Sequence, residues 1–397
     1  VTVKLFYQDP YQQSFEAEIV EQNEDEFGYY VVLDQTAFYP TGGGQPNDLG
    51  ILGDVHIVNV EEVGGQLRHY IENYLPEKDR ITGEIDWNRR FDHMQQHAGQ
   101  HLLSAAFEEL LSYKTVSFHL GQDTCTIDLD IESLTKAEAQ LIEKKVNDII
   151  LENRPIETRW VSEQELEQYQ LRKKLTVKEN IRLVIIPDFD YNGCGGTHPS
   201  STGQVASLKV LDWEKQKGQV RVRFVCGNRV LQQLETKHQI TIQLTQLLNA
   251  PEPKLSESVV KLNQQYLETK KKLKEANENV LSLEADSYVR EMKEIDNQVI
   301  IKLLENKEMK DVQYLARQVV AKVNTSIIVL ITKNENKFQI VCARGNKVEA
   351  SMKTLLKNAL ELVNGKGGGN DSFAQGGAEA TLSASDWKKL IEEVMRK

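Results

Sequence analysis

The stretch "FDHMQQHAGQHLLSAAF" (residues 91–107) places His93, His97 and His101 at four-residue intervals. On a helix that spacing stacks all three imidazoles on one face, because i and i+4 side chains meet there. Met94, Ala98, Leu102, Ala105 and Leu110 form an apolar stripe, so the segment predicts a helix, with Asp92 as its N-cap. A metal commonly takes two ligands from one helix, and the spacing alone does not say which two of the three. The complementary half lies in "CGGTH" (194–198), where Gly195 and Gly196 let the chain turn tightly between Cys194 and His198. Two helix histidines with this Cys and His make the N/S donor set that tetrahedral zinc prefers. A zinc peptidase of the HExxH type is excluded, because Met94 and Ala98 stand where its glutamate would be.

Around this pair of motifs the chain reads as α+β. Residues 1–86 are a β-rich, barrel-like domain: "SFEAEIVEQ", "GYYVVLDQT" and "GDVHIVNVEEV" are short alternating or β-branched runs between turn residues. Residues 87–226 combine the histidine helix, a second helix "KAEAQLIEKKVNDIILENR", the strand "IRLVIIP" with its loop "DFDYNGCGGTHPSSTG", and the hairpin "QVASLKVLDW"/"GQVRVRFVCG". Residues 227–295 are helical. From Leu255 through Val259, Leu262, Tyr266, Thr269, Leu273, Ala276 and Val280 to Leu283 the 4-3-4-3 spacing is that of a heptad seam. That seam suits an internal helical hairpin or coiled coil, which the short Pro turn at 251–253 favours, and also a homodimer through the helical or C-terminal region. Residues 296–397 form a small α/β domain, with the glycine-rich loop "NGKGGGNDSFAQGGA" between its last two helices.

The 397 residues carry a net charge of −11, unevenly spread. Residues 1–250 hold 24 Lys+Arg against 38 Asp+Glu, and residues 251–397 hold 24 against 21. The C-terminal part would therefore tolerate a phosphate backbone that the first part would repel. The four cysteines lie far apart with no CxxC pair, usage that predicts a reducing cytoplasm rather than a disulfide framework. No run reaches the ~18 apolar residues of a membrane span, and "VTVKLFYQDP" has no signal-peptide pattern.

"HAGQHLLSAA", followed by "CGGTH", resembles the editing domain of alanyl-tRNA synthetases. The resemblance implies one zinc ion per chain on His97, His101, Cys194 and His198, since "HLL" follows the second family histidine. It further implies hydrolysis of serine or glycine wrongly attached to tRNA(Ala), with alanine spared. "FYPTGGGQPNDLG" (38–50) looks like the glycine-rich segment ahead of that domain. It nominates Thr41, Gly43, Gly44 and Asp48 for substrate binding and Gln45 for catalysis. "TVSFHLG" (115–121) adds Ser117 and His119 as a pocket wall, and His93 is a non-ligating candidate for ordering water. "GKGGGNDSFAQGGA" is similar to the glycine-rich loop of the synthetases' C-terminal domain, implying tRNA contacts from Lys366, Gly367, Gly368, Gly369, Gln375, Gly376 and Gly377. About 86 residues precede the histidine helix, too few for an aminoacylation domain. The expectation is thus a free-standing cytoplasmic editing hydrolase of the long AlaX type. An editing hydrolase for another tRNA, such as Ser-tRNA(Thr), and a non-catalytic zinc-containing tRNA-binding protein are the competing readings.

Overall fold

The computed structural model describes residues 2–76, 80–173, 175, 180–294, 298–334, 337–379 and 384–396. The expected domain boundary at 295/296, and the expected element ends at Asn297, Ser383 and Lys397, lie outside them. The described chain is a mixture of helices and several sheets that divides into two compact units, residues 1–243 and 244–397.

In the first unit, strands Ser14–Asp25, Gly28–Leu33, Gln66–Ile71, Val55–Val63, Gly50–Leu52 and Arg80–Ile85 pair in that order, and the last closes back on the first as a barrel. Phe15, Val31, Leu33, Phe38, Leu52, Ile57 and Val60 fill its interior. Gly50 and Gly83 sit where the barrel is tightest: a Cβ on Gly50 would lie 2.1 Å from the Glu84 carbonyl oxygen, and one on Gly83 would lie 2.5 Å from the Phe15 ring.

The histidine helix runs from Trp87 to Leu111 and so begins ahead of the expected start at Asp92. Its N-cap is Asp86, whose carboxylate accepts from the Arg89 amide at 3.1 Å, and not Asp92. Asp92 lies one turn inside the helix and is paired with Arg229. The extra turn carries Arg90, fully buried and bonded to the equally buried Asp48 of the glycine-rich segment. A charge pair removed from water on both sides is costly to break, so it fixes the barrel loop against the helix. Residues 93–107 of the helix are all buried, so packing on every side replaces simple amphipathicity. The helix packs on a four-stranded antiparallel sheet ordered Leu208–Gln216, Gln219–Cys226, Cys125–Leu129, Thr115–Leu120. Helix Lys136–Leu151, started by a Thr135/Glu138 capping box, completes that core. A second sheet, Glu157–Val161, Ile181–Ile186 and Asp190–Gly193, brings "CGGTH" to the histidines.

In the second unit the heptad-patterned segment is one helix, Leu255–Glu294. Val259, Leu262, Tyr266, Leu273, Val280 and Leu283 of the seam are exposed, and the helix instead buries Leu281, Ala285, Tyr288 and Met292 in its own unit's core. The C-terminal sheet is ordered Val299–Glu305, Ile327–Asn334, Lys337–Arg344, Phe373–Glu379, Lys366–Gly369. The glycine-rich segment is therefore a β-hairpin rather than a loop. Its glycines answer to packing: a Cβ on Gly376 would come within 2.5 Å of the Leu360 side chain, and one on Gly367 within 2.7 Å.

Candidate functional site

His97 and His101 leave the helix one turn apart and meet Cys194 and His198 of the turn after Asp190–Gly193. The four donor atoms lie within 4.8 Å of one another. Cys194 Sγ is 3.4 Å from the Nε2 atoms of both His97 and His198. Ligands at ~2.0–2.3 Å around a tetrahedral ion stand about 3.3–3.8 Å apart, so the two sulfur–nitrogen spacings fit and the set could hold a metal ion. Gly196 makes the close approach feasible, since a Cβ there would lie 2.3 Å from His97 Cε1.

The outer nitrogens of two ligand rings are held. His97 Nδ1 lies 2.9 Å from Gln45 Oε1, and that oxygen also accepts the Thr197 amide. Gln45 Nε2 donates to the Thr197 hydroxyl at 2.8 Å, so its oxygen faces the ring, His97 Nδ1 must carry the proton, and Nε2 is left as a free donor atom. Asp190 Oδ2 lies 2.9 Å from His101 Nδ1; against the lowering effect of burial, it and the Cys194 sulfur raise that ring to about 9, while the other Asp190 oxygen accepts from Arg172 at 2.8 Å. Outer partners of this kind fix tautomer and ring direction at metal sites. Burial would push the Cys194 thiol up, but His97 and His198 beside it, with hydrogen bonds from His101 and His198, hold it well below its ordinary value. Burial, then the neighbouring His97, lowers His198 to about 3, so its ring is neutral. A thiolate beside a neutral imidazole is the form that takes up a metal.

His97, His101 and Cys194 line a cavity of about 680 Å³. Gly43, Gly44, Gln100, Ser117, Phe118, Trp160 and Arg182 are among its walls. It contains the cationic Arg172, Lys173 and Arg182, and no carboxylate among its described lining residues, in a chain with 59 acidic residues. Arg182 Nη1 donates to the carbonyl oxygens of Cys194 and Gly196 at 2.9 and 2.8 Å, which braces the ligand turn.

Of the residues nominated from sequence, Gly43, Gly44 and Ser117 line the cavity and Gln45 lies behind His97. Thr41, Asp48 and His119 are not among the lining residues: Thr41 is exposed beside Asn47, Asp48 is committed to Arg90, and His119 is exposed on its strand. His93 is also outside the lining. It is 4% exposed, its Nδ1 has no partner among the described residues, and burial followed by the charge of Arg89 lowers it to about 3. Sequence reading passed over Asp190, Arg172, Arg182, Tyr7 and Trp160. Only Asp190, in "DFDYNG", stood near a motif.

Comparison with known proteins follows the same layout. The family described as threonyl and alanyl tRNA synthetase second additional domain matches residues 181–223. The class II (A) tRNA synthetase family matches residues 4–89, and the DHHA1 domain matches residues 296–397. The alanyl-tRNA editing protein AlaX-L of Pyrococcus horikoshii is 31% identical over 95% of both chains. The alanine–tRNA ligase of Pyrococcus abyssi is 32% identical over all of this chain, which spans 43% of the ligase. The alanyl-tRNA editing protein Aarsd1 of Bos taurus is 37% identical over 59% of this chain and 54% of its own.

Proposed function

Because the chain belongs to the family of alanyl-tRNA editing proteins, we propose that it is a cytoplasmic, trans-acting hydrolase that removes serine, and glycine, from mischarged tRNA(Ala) and spares alanine. The observation that carries this reading is the four-donor cluster, three of whose members line a cavity with no carboxylate among its described lining residues. The reaction is attack of water on the ester carbonyl that joins the amino acid to the terminal ribose, releasing free amino acid and uncharged tRNA.

The metal is proposed to be one zinc ion on His97, His101, Cys194 and His198, the donor chemistry that zinc favours. When bound it supplies a Lewis acid and an anchor for a substrate oxygen or amine. The chain's own residues do the rest. Gln45 and Asp190 hold the ligand rings, Arg182 braces the turn, and Gly43 and Gly44 let the substrate approach backbone. An aminoacyl ester is already activated, so orientation and stabilisation of the developing oxyanion suffice. No carboxylate among the described lining residues is placed to act as general base; we assign the vicinal ribose hydroxyl of the substrate the relay, taking the water's proton while passing its own to the departing ribose oxygen.

Discrimination requires a polar partner for the seryl hydroxyl. Ser117 is among the lining residues and donates its own proton to Asp128, which leaves its oxygen only an acceptor's role, and it is proposed as that partner. A site built to bond a hydroxyl rejects the analogue lacking it by roughly 10⁴–10⁵. In the second unit Lys366 shares a groove with Lys353 and Lys357 and is proposed, with Gly367–Gly369 and Gln375–Gly377, to hold tRNA phosphates. The exposed seam of Leu255–Glu294 is the surface proposed for a homodimer.

Incubating zinc-loaded protein with Ser-tRNA(Ala), Gly-tRNA(Ala) and Ser-tRNA(Thr) tests the reading. Preferential release from tRNA(Ala) supports it. Preference for the threonine tRNA would move the substrate, and tRNA binding without release from any of the three would make the protein a binder.

A further inference from the structure

One aromatic side chain stands out because the fold leaves much of it uncovered. Trp160, on the edge strand Glu157–Val161, is 55% exposed and lines the cavity that holds the donor cluster. It pairs across the sheet with Arg182, the residue that braces the Cys194 turn. Between them lies Tyr7. The Arg182 guanidinium sits 4.9 Å from the Tyr7 ring centroid, and the Tyr7 ring meets the Trp160 ring edge-on at 5.4 Å. The Tyr7 hydroxyl in turn comes within 3.4 Å of where a Cβ on Gly195 would stand. Cation, phenol and indole thus form a ladder from the ligand turn to the cavity wall. One rung is buried, one is packed beneath the indole, and the last presents an open ring. Exposed Lys173 lines the same cavity, and no described lining residue is acidic.

We propose that Trp160 is the stacking platform for the terminal nucleobase of the tRNA 3′ end, and that the Arg182–Tyr7 pair beneath it sets its angle. This rests on the editing reading above. Single-stranded nucleic acid ends are held where an aromatic face and positive charge coincide, since every base offers a π-face and every phosphate a charge. Such a contact explains how an ester-bearing ribose could be held above the donors without carboxylates or a sequence-reading groove.

The test compares wild type, Trp160→Ala and Trp160→Phe, all zinc-loaded, on Ser-tRNA(Ala) and on the same tRNA with an abasic 3′-terminal nucleotide. Zinc content and thermal melting of each protein serve as folding controls. Stacking on one base is worth a roughly 5- to 160-fold change. Trp160→Ala should lower kcat/KM on the normal substrate by that factor, Trp160→Phe should recover most of it, and the abasic substrate should react equally with all three proteins. An unchanged kcat/KM for Trp160→Ala, or an equal loss on the abasic substrate, overturns the platform while leaving the hydrolase intact. Absence of hydrolysis by wild type would instead bring down the editing reading and the platform with it.

Discussion

Two adjacent glycines provide a sharp test of how the donor cluster is built. A Cβ on Gly196 would stand 2.3 Å from His97 Cε1, 2.4 Å from Nδ1 and 2.8 Å from Gln45 Oε1. Ordinary contact needs about 3.4 Å or more, so in Gly196→Ala the His97 ring must retreat by about 1 Å or the ligand turn must open. Metal–ligand distances tolerate roughly ±0.2 Å, so a shift of that size removes one of four donors and strains the Gln45 bond as well. Loss of an outer partner alone costs about 10- to 100-fold in metal affinity, and loss of a ligand should exceed that. Gly195→Ala is the internal control, because its Cβ would meet only the Tyr7 hydroxyl at 3.4 Å. Competition for zinc against a chelator of known affinity, with melting curves of the metal-free proteins, separates binding from folding. Gly196→Ala should lose zinc at chelator concentrations that leave Gly195→Ala loaded. Equal zinc retention in the two variants would refute the proposed cluster.

Three other outcomes follow from the structure. Gln45→Leu removes the acceptor shared by His97 and the Thr197 amide and should weaken zinc binding about 10- to 100-fold, whereas Gln45→Glu, which keeps an acceptor, should weaken it less; indifference to both in a zinc titration would exclude Gln45 as the orienting partner. Burial lowers His69, inside the barrel, to about 4. The unfolded chain takes up that proton near pH 6.5 while the folded one does not, so this contribution to stability is complete above pH 6.5 and falls by about 1.4 kcal/mol per unit towards pH 4. Urea unfolding across that window should show a flatter pH dependence for His69→Gln than for wild type, and parallel slopes would count against it. In the C-terminal hairpin, Gly376→Ala forces a Cβ to 2.5 Å from Leu360 and 2.8 Å from the Lys366 carbonyl, while a Cβ on Gly368 meets nothing within 4 Å. Melting temperatures should therefore fall for the first and hold for the second; the reverse order would mean that the hairpin is packed differently.

Much of this was readable from residue pattern alone because the pattern was local. The histidine helix, helix Lys136–Leu151 with its capping residues, and strands such as Ile181–Ile186 each carry their period within a short window. Helix start was misplaced because "WNRR" is polar in sequence and is buried only through Arg90, whose partner Asp48 lies 42 residues away. The glycine-rich C-terminal segment read as a loop because glycine is a poor strand former; here the missing side chains let the hairpin lie against Leu360. The heptad spacing marked a helix and was silent about burial, since the face buried in the unit's core begins at Leu281. Both halves of the donor cluster were legible, but its supports were not. Asp190 reaches His101 across 89 residues, and Trp160 becomes conspicuous only once its exposure inside a cavity is known.

The most direct measurement of the central claim is single-turnover release of serine from Ser-tRNA(Ala), run beside Ala-tRNA(Ala), by zinc-loaded protein and by its Cys194→Ala variant. Fast loss of serine with alanine retained, abolished in the variant, is the predicted result. Equal rates for the two amino acids, or serine release undiminished without Cys194, would contradict it.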